Sequence, residues 1–263
     1  MVIVTSAAGN HSNRLFQNAH LEAFCLRNCI RFWNPSFADM ATFYGVKRSP
    51  FDQAFCLAVK IWKRLGLPAV TSFDDFGKGA EYYELVKRRR IVLAEGWCFR
   101  APEIVEEYRE RLARKFTLKP EFYVDNELYR ELLAVDRAKT ILVGVHVRRG
   151  DYREFEGGRY FFGDDVYERY MVNLAAALSA RFCKKVTFII FSNEDSSMRE
   201  GPDRVISRNE WYIDQFLMGM CDYLIGPPST FTLWASFVGG ARFFHIKDDS
   251  GAVRIEDFAL CVG

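Results

Sequence analysis

Residues Ile141–Tyr152 read ILVGVHVRRGDY. Apolar residues around a single glycine run into His146, then Arg148 and Arg149, then Gly150 and Asp151. A short, nearly continuous apolar run of this kind predicts a buried strand of a parallel sheet. Its end delivers an imidazole, two guanidiniums and a carboxylate to one edge. Such a cluster is costly in a core and useful where a multiply charged anion must be held. Arg148 and Arg149 are adjacent, so on an extended chain they point to opposite faces. One can meet a ligand while the other anchors Asp151 or a neighbouring loop.

Downstream, strands and helices alternate. Asp164 or Asp165 caps a helix with apolar positions at Tyr167, Tyr170, Met171, Leu174 and Leu178. Val186–Phe191 is a strand ending in Ser192, Asn193 and Glu194, and Arg204–Ile206 is short and extended. Ile213, Leu217 and Met220 mark a helix, Asp222–Ile225 a strand, and Phe231–Val238 a helix stopped by Gly239 and Gly240. Arg242–Ile246 is a last strand. This order predicts a Rossmann-like parallel sheet.

Upstream, Val2–Thr5 is a β-branched run, Ser12 is the expected N-cap of a helix through Leu15, Ala19, Ala23 and Leu26, and Ile30–Trp33 and Ile91–Ala94 are strands. Residues 35–80 are rich in Phe with scattered Pro and Gly, and read as short helices and loops. Pro102–Arg114 is a charged amphipathic helix. A junction falls within 116–136. The expectation is two α/β halves facing each other across a cleft, residues 1–138 and 139–263.

The 263 residues are 49% hydrophobic and 27% charged, values of a soluble globular protein. A net charge of +2 gives no reason to expect a nucleic-acid partner. Lys87–Arg90, the one dense basic run, reads as a solvated helix end. The seven cysteines are odd in number and irregularly spaced, which favours reduced thiols over disulfides or a zinc set. The opening MVIVTSAAGN carries no signal-peptide pattern. Tyr223–Phe244 is too interrupted by Pro, Gly, Ser and Thr to span a membrane. A cytoplasmic location follows as the expectation.

Parallel sheets bind ligands at the carboxyl ends of their strands. His146–Tyr152, Ser192–Glu194, the helix carrying Asp214, and Ser229–Phe231 converge there. Ser229 and Thr230 open a helix, where free N–H groups suit an anion but a simple N-cap needs none. Asp214 is either a cap or an acceptor for a guanine edge. His146 suits packing better than catalysis, and His11 and His20 more often satisfy local polar groups than line a site. The tripeptide Arg149-Gly150-Asp151, at the end of an apolar strand, is an integrin sequence by spelling only. The chain has no Asp-x-Asp, no P-loop and no GxGxxG after a predicted strand. A metal-chelating nucleotide-sugar site is therefore unsupported, and neither a metal nor any other cofactor is expected.

Together these segments resemble the α-1,2-fucosyltransferase family, glycosyltransferase family 11. The family's His-x-Arg-Arg-Gly-Asp-Tyr pattern is matched by His146, Arg148, Arg149, Gly150, Asp151 and Tyr152. Its Gly-Asn-Gln-Leu-Phe-Gln is resembled by Ser12-Asn13-Arg14-Leu15-Phe16-Gln17. Its late block is resembled by Asp214–Cys221 and by Pro228-Ser229-Thr230-Phe231-Thr232-Leu233-Trp234-Ala235, and Glu95-Gly96-Trp97 is similar to a further block. Ser12, Arg14, Pro228 and Leu233 depart from it.

The resemblance implies a GT-B-like fold and an inverting, metal-independent transfer from GDP-fucose to a galactose-containing glycan. In that case Arg148 binds the β-phosphate, and Ser229, Thr230 and Phe231 hold the diphosphate. Asp214 and the His146 backbone face guanine, Asn13 lies near the sugar, and Arg149 and Asn193 complete the expected substrate- and GDP-binding set. Glu156 is the first expected base for the acceptor hydroxyl and Asp151 the second. A lipid-linked acceptor would bring the protein to the inner membrane face. Another nucleotide sugar, or a catalytically inactive nucleotide- or glycan-binding homologue, are the competing readings.

Overall fold

A computed structural model describes residues 1–7, 9–67, 70–194 and 197–261. The chain forms two compact units that divide between Thr117 and Leu118. That point lies inside the stretch in which the sequence places the junction, ahead of the 138/139 boundary.

In the first unit, β1 (Val2–Val4) leads into α1 (His11–Arg27), β2 (Phe32–Trp33), α2 (Asp52–Arg64), β3 (Thr71–Ser72), α3 (Gly79–Arg88) and β4 (Val92–Glu95). Helices α4 (Pro102–Glu107) and α5 (Arg109–Lys115) follow. The four strands pair in the order β2-β1-β4-β3, all parallel. Val2, Val4, Val92 and Ala94 pack with Leu21, Phe24, Phe73 and Phe99 in one apolar core. Burial on this scale is the main stabilising contribution, about 1.5–3 kcal/mol for each large aliphatic or Phe side chain.

Three local expectations for this unit change. Asn10, with extended backbone, is the N-cap of α1, and Ser12 is buried within its first turn. The helix expected over 102–114 breaks at Tyr108 into α4 and α5. Residues 35–80, which gave no readable period, hold a 3-10 segment at Pro35–Thr42, then α2, β3 and a short 3-10 turn at Phe76–Lys78. Lys87 and Arg88 do lie in the exposed last turn of α3.

The second unit begins with α6 (Glu127–Ala134) and β5 (Thr140–Val147). It continues through α7 (Asp164–Phe182), β6 (Lys185–Ser192), β7 (Arg204–Ile206), α8 (Trp211–Met218), β8 (Tyr223–Gly226), α9 (Thr230–Gly239) and β9 (Arg242–His245). Its sheet runs β7-β6-β5-β8-β9, all parallel. Within this unit that is third, second, first, fourth, fifth, the doubly wound order. The alternation of β5 explains how it covers both faces. Ile141, Val143, Val145 and Val147 join the core under α7, while Leu142 faces the core of α6, α8 and α9. Helix α7 is capped by Gly163 rather than by Asp164 or Asp165, which occupy its first turn.

Candidate functional site

The order of the second sheet reverses between β5 and β8. There the connections leave to opposite sides and open a crevice at the carboxyl ends of the strands. Three segments meet at this edge: the end of β5 with the turn after it, the end of β6, and the turn from β8 into α9. The two central strands come very close. A Cβ on Gly226, at the end of β8, would lie 2.9 Å from the His146 carbonyl oxygen and 3.0 Å from its Cβ.

His146 is the last even-numbered residue of β5 and faces α9. Its Nδ1 lies 2.5 Å from Thr232 Oγ1, and its ring lies 5.3 Å from that of Phe231. Burial first, then the nearby Arg148 charge, pushes the imidazole down to about 3, so it stays neutral. It is a packing and orienting group rather than a proton carrier.

The two arginines separate as adjacent extended residues should. Arg149 is buried and turns to the α7 face. Its guanidinium donates to the Phe162 carbonyl and the Asp164 carboxylate, and lies over the rings of Phe161 and Tyr167. Its backbone N–H donates to Asn193 Oδ1 at 3.0 Å. Asp164 also accepts from the Ser197 backbone and hydroxyl, at 2.7 and 2.6 Å. Arg149, Asn193 and Asp164 thus lock the turn after β5 onto β6 and α7.

Arg148 remains at the edge. Its Nη2 donates to Asp151 Oδ1 at 2.6 Å, and its guanidinium lies 5.1 Å from the Tyr152 ring centre. Its Nε is buried and meets no hydrogen-bond acceptor among the described residues. The Tyr152 hydroxyl donates to the Pro228 carbonyl, which ties the Arg148 turn to the start of α9. Pro228 therefore serves through its backbone, whatever side chain stands there. Gly150 takes φ +60°, which favours glycine, and a Cβ there would lie 3.0 Å from Asn193 Nδ2, close enough that the amide would have to shift.

Ser229 is the N-cap of α9, and its Oγ accepts from the Phe231 N–H at 3.3 Å. Thr230 and Phe231 supply the first turn. Leu233 is partly buried on the apolar core of α8 and α9.

Asp214 sits in the first turn of α8 but is not its cap, which is Glu210. It is buried, and Ser207, just past β7, donates to it at 2.5 Å. Asn209 donates to Ser207 in turn at 2.9 Å. Burial pushes the Asp214 carboxyl up to about 7, opposed by the Ser207 and Asn209 hydrogen bonds and helped by Glu210. The folded chain therefore holds a proton that the unfolded chain, titrating near 3.8, releases earlier. Stability falls as pH rises from about 4 to 7. Asp214→Asn is expected to exceed the wild type in urea denaturation by at most about 4 kcal/mol near pH 8, with no advantage near pH 4. An advantage of equal size at both pH values would contradict the assignment.

Two sequence candidates remain, Glu156 and Asn13. Glu156 is exposed in the loop beyond Tyr152 with φ +47° and ψ +40°, and its carboxylate pairs with Arg159 at 3.3 Å. A left-handed non-glycine residue is uncommon and costs about 1–3 kcal/mol. Asn13 belongs to α1 of the first unit, with its Oδ1 buried and without a partner among the described residues. Its neighbour Arg14 is committed to Asp39, at 2.6 and 2.8 Å, and to the Ser36 carbonyl. The sequence reading missed Tyr152, Thr232 and Ser207 as partners of the site. Tyr152 and Thr232 lie inside quoted motifs, whereas Ser207 carries no local signal. Among the described residues no cluster of His, Cys, Asp or Glu could hold a metal ion, and no helix is long and apolar enough to cross a membrane.

Residues 103–248, more than half of the chain, match the family model described as glycosyl transferase family 11. Among curated proteins none matches the sequence. Solved structures do match. A mutant of FUT1 from Arabidopsis thaliana in complex with GDP is 10% identical, with a TM-score of 0.58 over 98% of this chain and 73% of that one. NodZ α-1,6-fucosyltransferase soaked with GDP-fucose is 16% identical, with a TM-score of 0.56 over 93% and 94%. Fucosyltransferase NodZ from Bradyrhizobium is 15% identical, with a TM-score of 0.57 over 93% and 94%. At these identities the likeness is one of fold, and the fold is GT-B-like with a parallel α/β sheet in each unit.

Proposed function

The chain belongs to glycosyl transferase family 11, and from that premise we propose that it transfers L-fucose from GDP-fucose to a galactoside hydroxyl of a glycan. The linkage formed is α-1,2, with inversion and without a metal. One observation carries the reading. Arg148, whose buried Nε meets no acceptor among the described residues, stands at the β5/β8 switch point and is tied through Tyr152 to the opening turn of α9. An Arg fork and a helix N-terminus at one crevice suit a diphosphate. The choice of guanine nucleotide rests on the structural relatives solved with GDP and GDP-fucose.

In this reading Arg148 takes the β-phosphate, and Ser229, Thr230 and Phe231 give hydroxyl and backbone donors to the diphosphate. Leaving-group charge that builds as the anomeric bond breaks is met by these fixed groups, each worth roughly 3–4 kcal/mol. Asp214, with the His146 backbone, receives the guanine edge. Arg149 and Asn193 hold the turn in place, and Asn13 serves the sugar. Glu156 is the base for the acceptor hydroxyl. Asp151 is the weaker choice, because its carboxylate is paired with Arg148 at 2.6 Å. In an inverting displacement the base belongs opposite the departing phosphate, not beside it. The seven free cysteines suit a reducing, cytoplasmic setting.

Release of GDP from GDP-fucose in the presence of a β-galactoside tests the function. Acceptor-dependent release is expected, and Glu156→Gln should lower it by about 10²–10⁴. No release with any galactoside, or preferential thermal stabilisation by UDP, would contradict the proposal.

A further inference from the structure

Helix α2 carries a second, unassigned surface. Among the described residues its inner side packs on the protein. Val59 and Asp52 are buried there, and Asp52 is held by the Trp33 indole at 3.1 Å and the Ser49 backbone at 2.8 Å. The outer side is apolar. Leu57, Ile61 and Leu65 follow one another at i, i+4 spacing and are 60%, 48% and 69% exposed, with Trp62 at 45% and Leu67 at 63%. Soluble proteins scatter such side chains singly; a contiguous stripe marks an interaction site.

The flank of the stripe identifies the partner. Lys60 and Arg64, also four residues apart, are exposed and make no ion pair among the described residues. Lys63, beside them, is bound to Glu95 at 2.5 Å. The one carboxylate of the helix, Asp52, is buried on the opposite side, so the exposed part of α2 bears apolar and cationic groups, with Gln53 its neutral polar residue and no anionic one. An exposed apolar stripe with an interfacial Trp and a basic border is the pattern of a helix that lies in the headgroup region of an anionic bilayer.

We propose that α2 docks this protein on an anionic membrane surface, with Leu57, Ile61, Trp62 and Leu65 inserted among the acyl chains and Lys60 and Arg64 at the lipid phosphates. Leu57 and Lys60 also line a cavity of about 370 Å³ with Thr5, Ser6, Arg14 and Asp39, past the carboxyl end of β1. Docking therefore brings that cavity to the bilayer, where a lipid-linked glycan would be met. The membrane proposal itself stands without the choice of donor or acceptor.

The test is co-sedimentation of the full chain with vesicles of equal parts phosphatidylcholine and phosphatidylglycerol, against phosphatidylcholine alone. Binding to the anionic vesicles is expected to be at least about tenfold tighter and to weaken with added salt. Ile61→Glu with Leu65→Glu should reduce it by about tenfold or more while leaving the melting temperature unchanged, because both side chains face solvent. Lys60→Glu with Arg64→Glu should abolish the preference for phosphatidylglycerol. In the wild type, brominated lipid should quench Trp fluorescence, and Trp62→Phe should remove that quenching. The proposal is overturned by absence of binding to anionic vesicles, or by binding that the α2 substitutions leave intact. A vesicle-free dimer that Ile61→Glu dissociates would equally overturn it, by making a second copy the occupant of the stripe.

Discussion

Arg148→Ala is expected to lower kcat by about 10²–10³ while leaving the fold intact. The first half of this expectation follows from chemistry. Cleavage of a glycosyl–phosphate bond puts charge on the diphosphate, and a preorganised guanidinium at the switch point stabilises that charge in the transition state more than in the ground state. The second half follows from the surroundings of the side chain. Its ion pair with Asp151 is open to solvent, with the two side chains 23% and 58% exposed, and such pairs contribute only about 0–1 kcal/mol to stability. Arg148→Lys keeps a charge but loses the fork, so partial activity is expected. Near-normal turnover by the Ala variant would remove Arg148 from the site.

Its neighbour should behave in the opposite way. Arg149→Ala is expected to destabilise the second unit by about 3–5 kcal/mol, read as a lower urea midpoint. Arg149 and Asp164 are 8% and 17% exposed, so deleting the guanidinium leaves a largely buried carboxylate without its counter-charge. It also deprives the Phe162 carbonyl of its donor. Activity should fall too, because the guanidinium's bond to Asp164 helps fix the turn that carries Arg148, while the backbone bond to Asn193 survives the substitution. A variant as stable as the wild type would show that the pair does not hold the turn. On the proposed function, these two results would separate transition-state stabilisation by Arg148 from the architectural role of Arg149.

The chain announces these elements unevenly. Strand β5 is legible because both its faces are buried, which leaves an apolar run that ends abruptly in charge. Helix α9 is legible because Pro and Ser precede it and two glycines end it, with Gly240 left-handed at the C-cap. Helix α2 is hard to read for a physical reason: apolar residues lie on both its buried side (Val59) and its exposed side (Leu57, Ile61), so no single apolar face stands out. The break at Tyr108 involves neither Pro nor Gly. The cap of α1 is ambiguous in sequence because Asn10 and Ser12 are both good N-cap residues, and the backbone selects Asn10. At the site, Arg148, Ser229 and Thr230 could be nominated from strand ends and helix starts. The clasp of Arg149 on Asp164 and of Tyr152 on Pro228 could not, because those partners are brought together only by the parallel sheet.

The central claim is that the edge between β5 and β8 holds a diphosphate through Arg148. Titration calorimetry of GDP and GMP into the wild type and Arg148→Ala measures this directly. The wild type should bind GDP more tightly than GMP by about tenfold or more, a charge-assisted contact being worth roughly 1.5–3 kcal/mol. Arg148→Ala should erase that difference and leave GMP affinity nearly unchanged. Equal binding of GDP and GMP by the wild type, or an undiminished preference for GDP in the variant, would contradict the account.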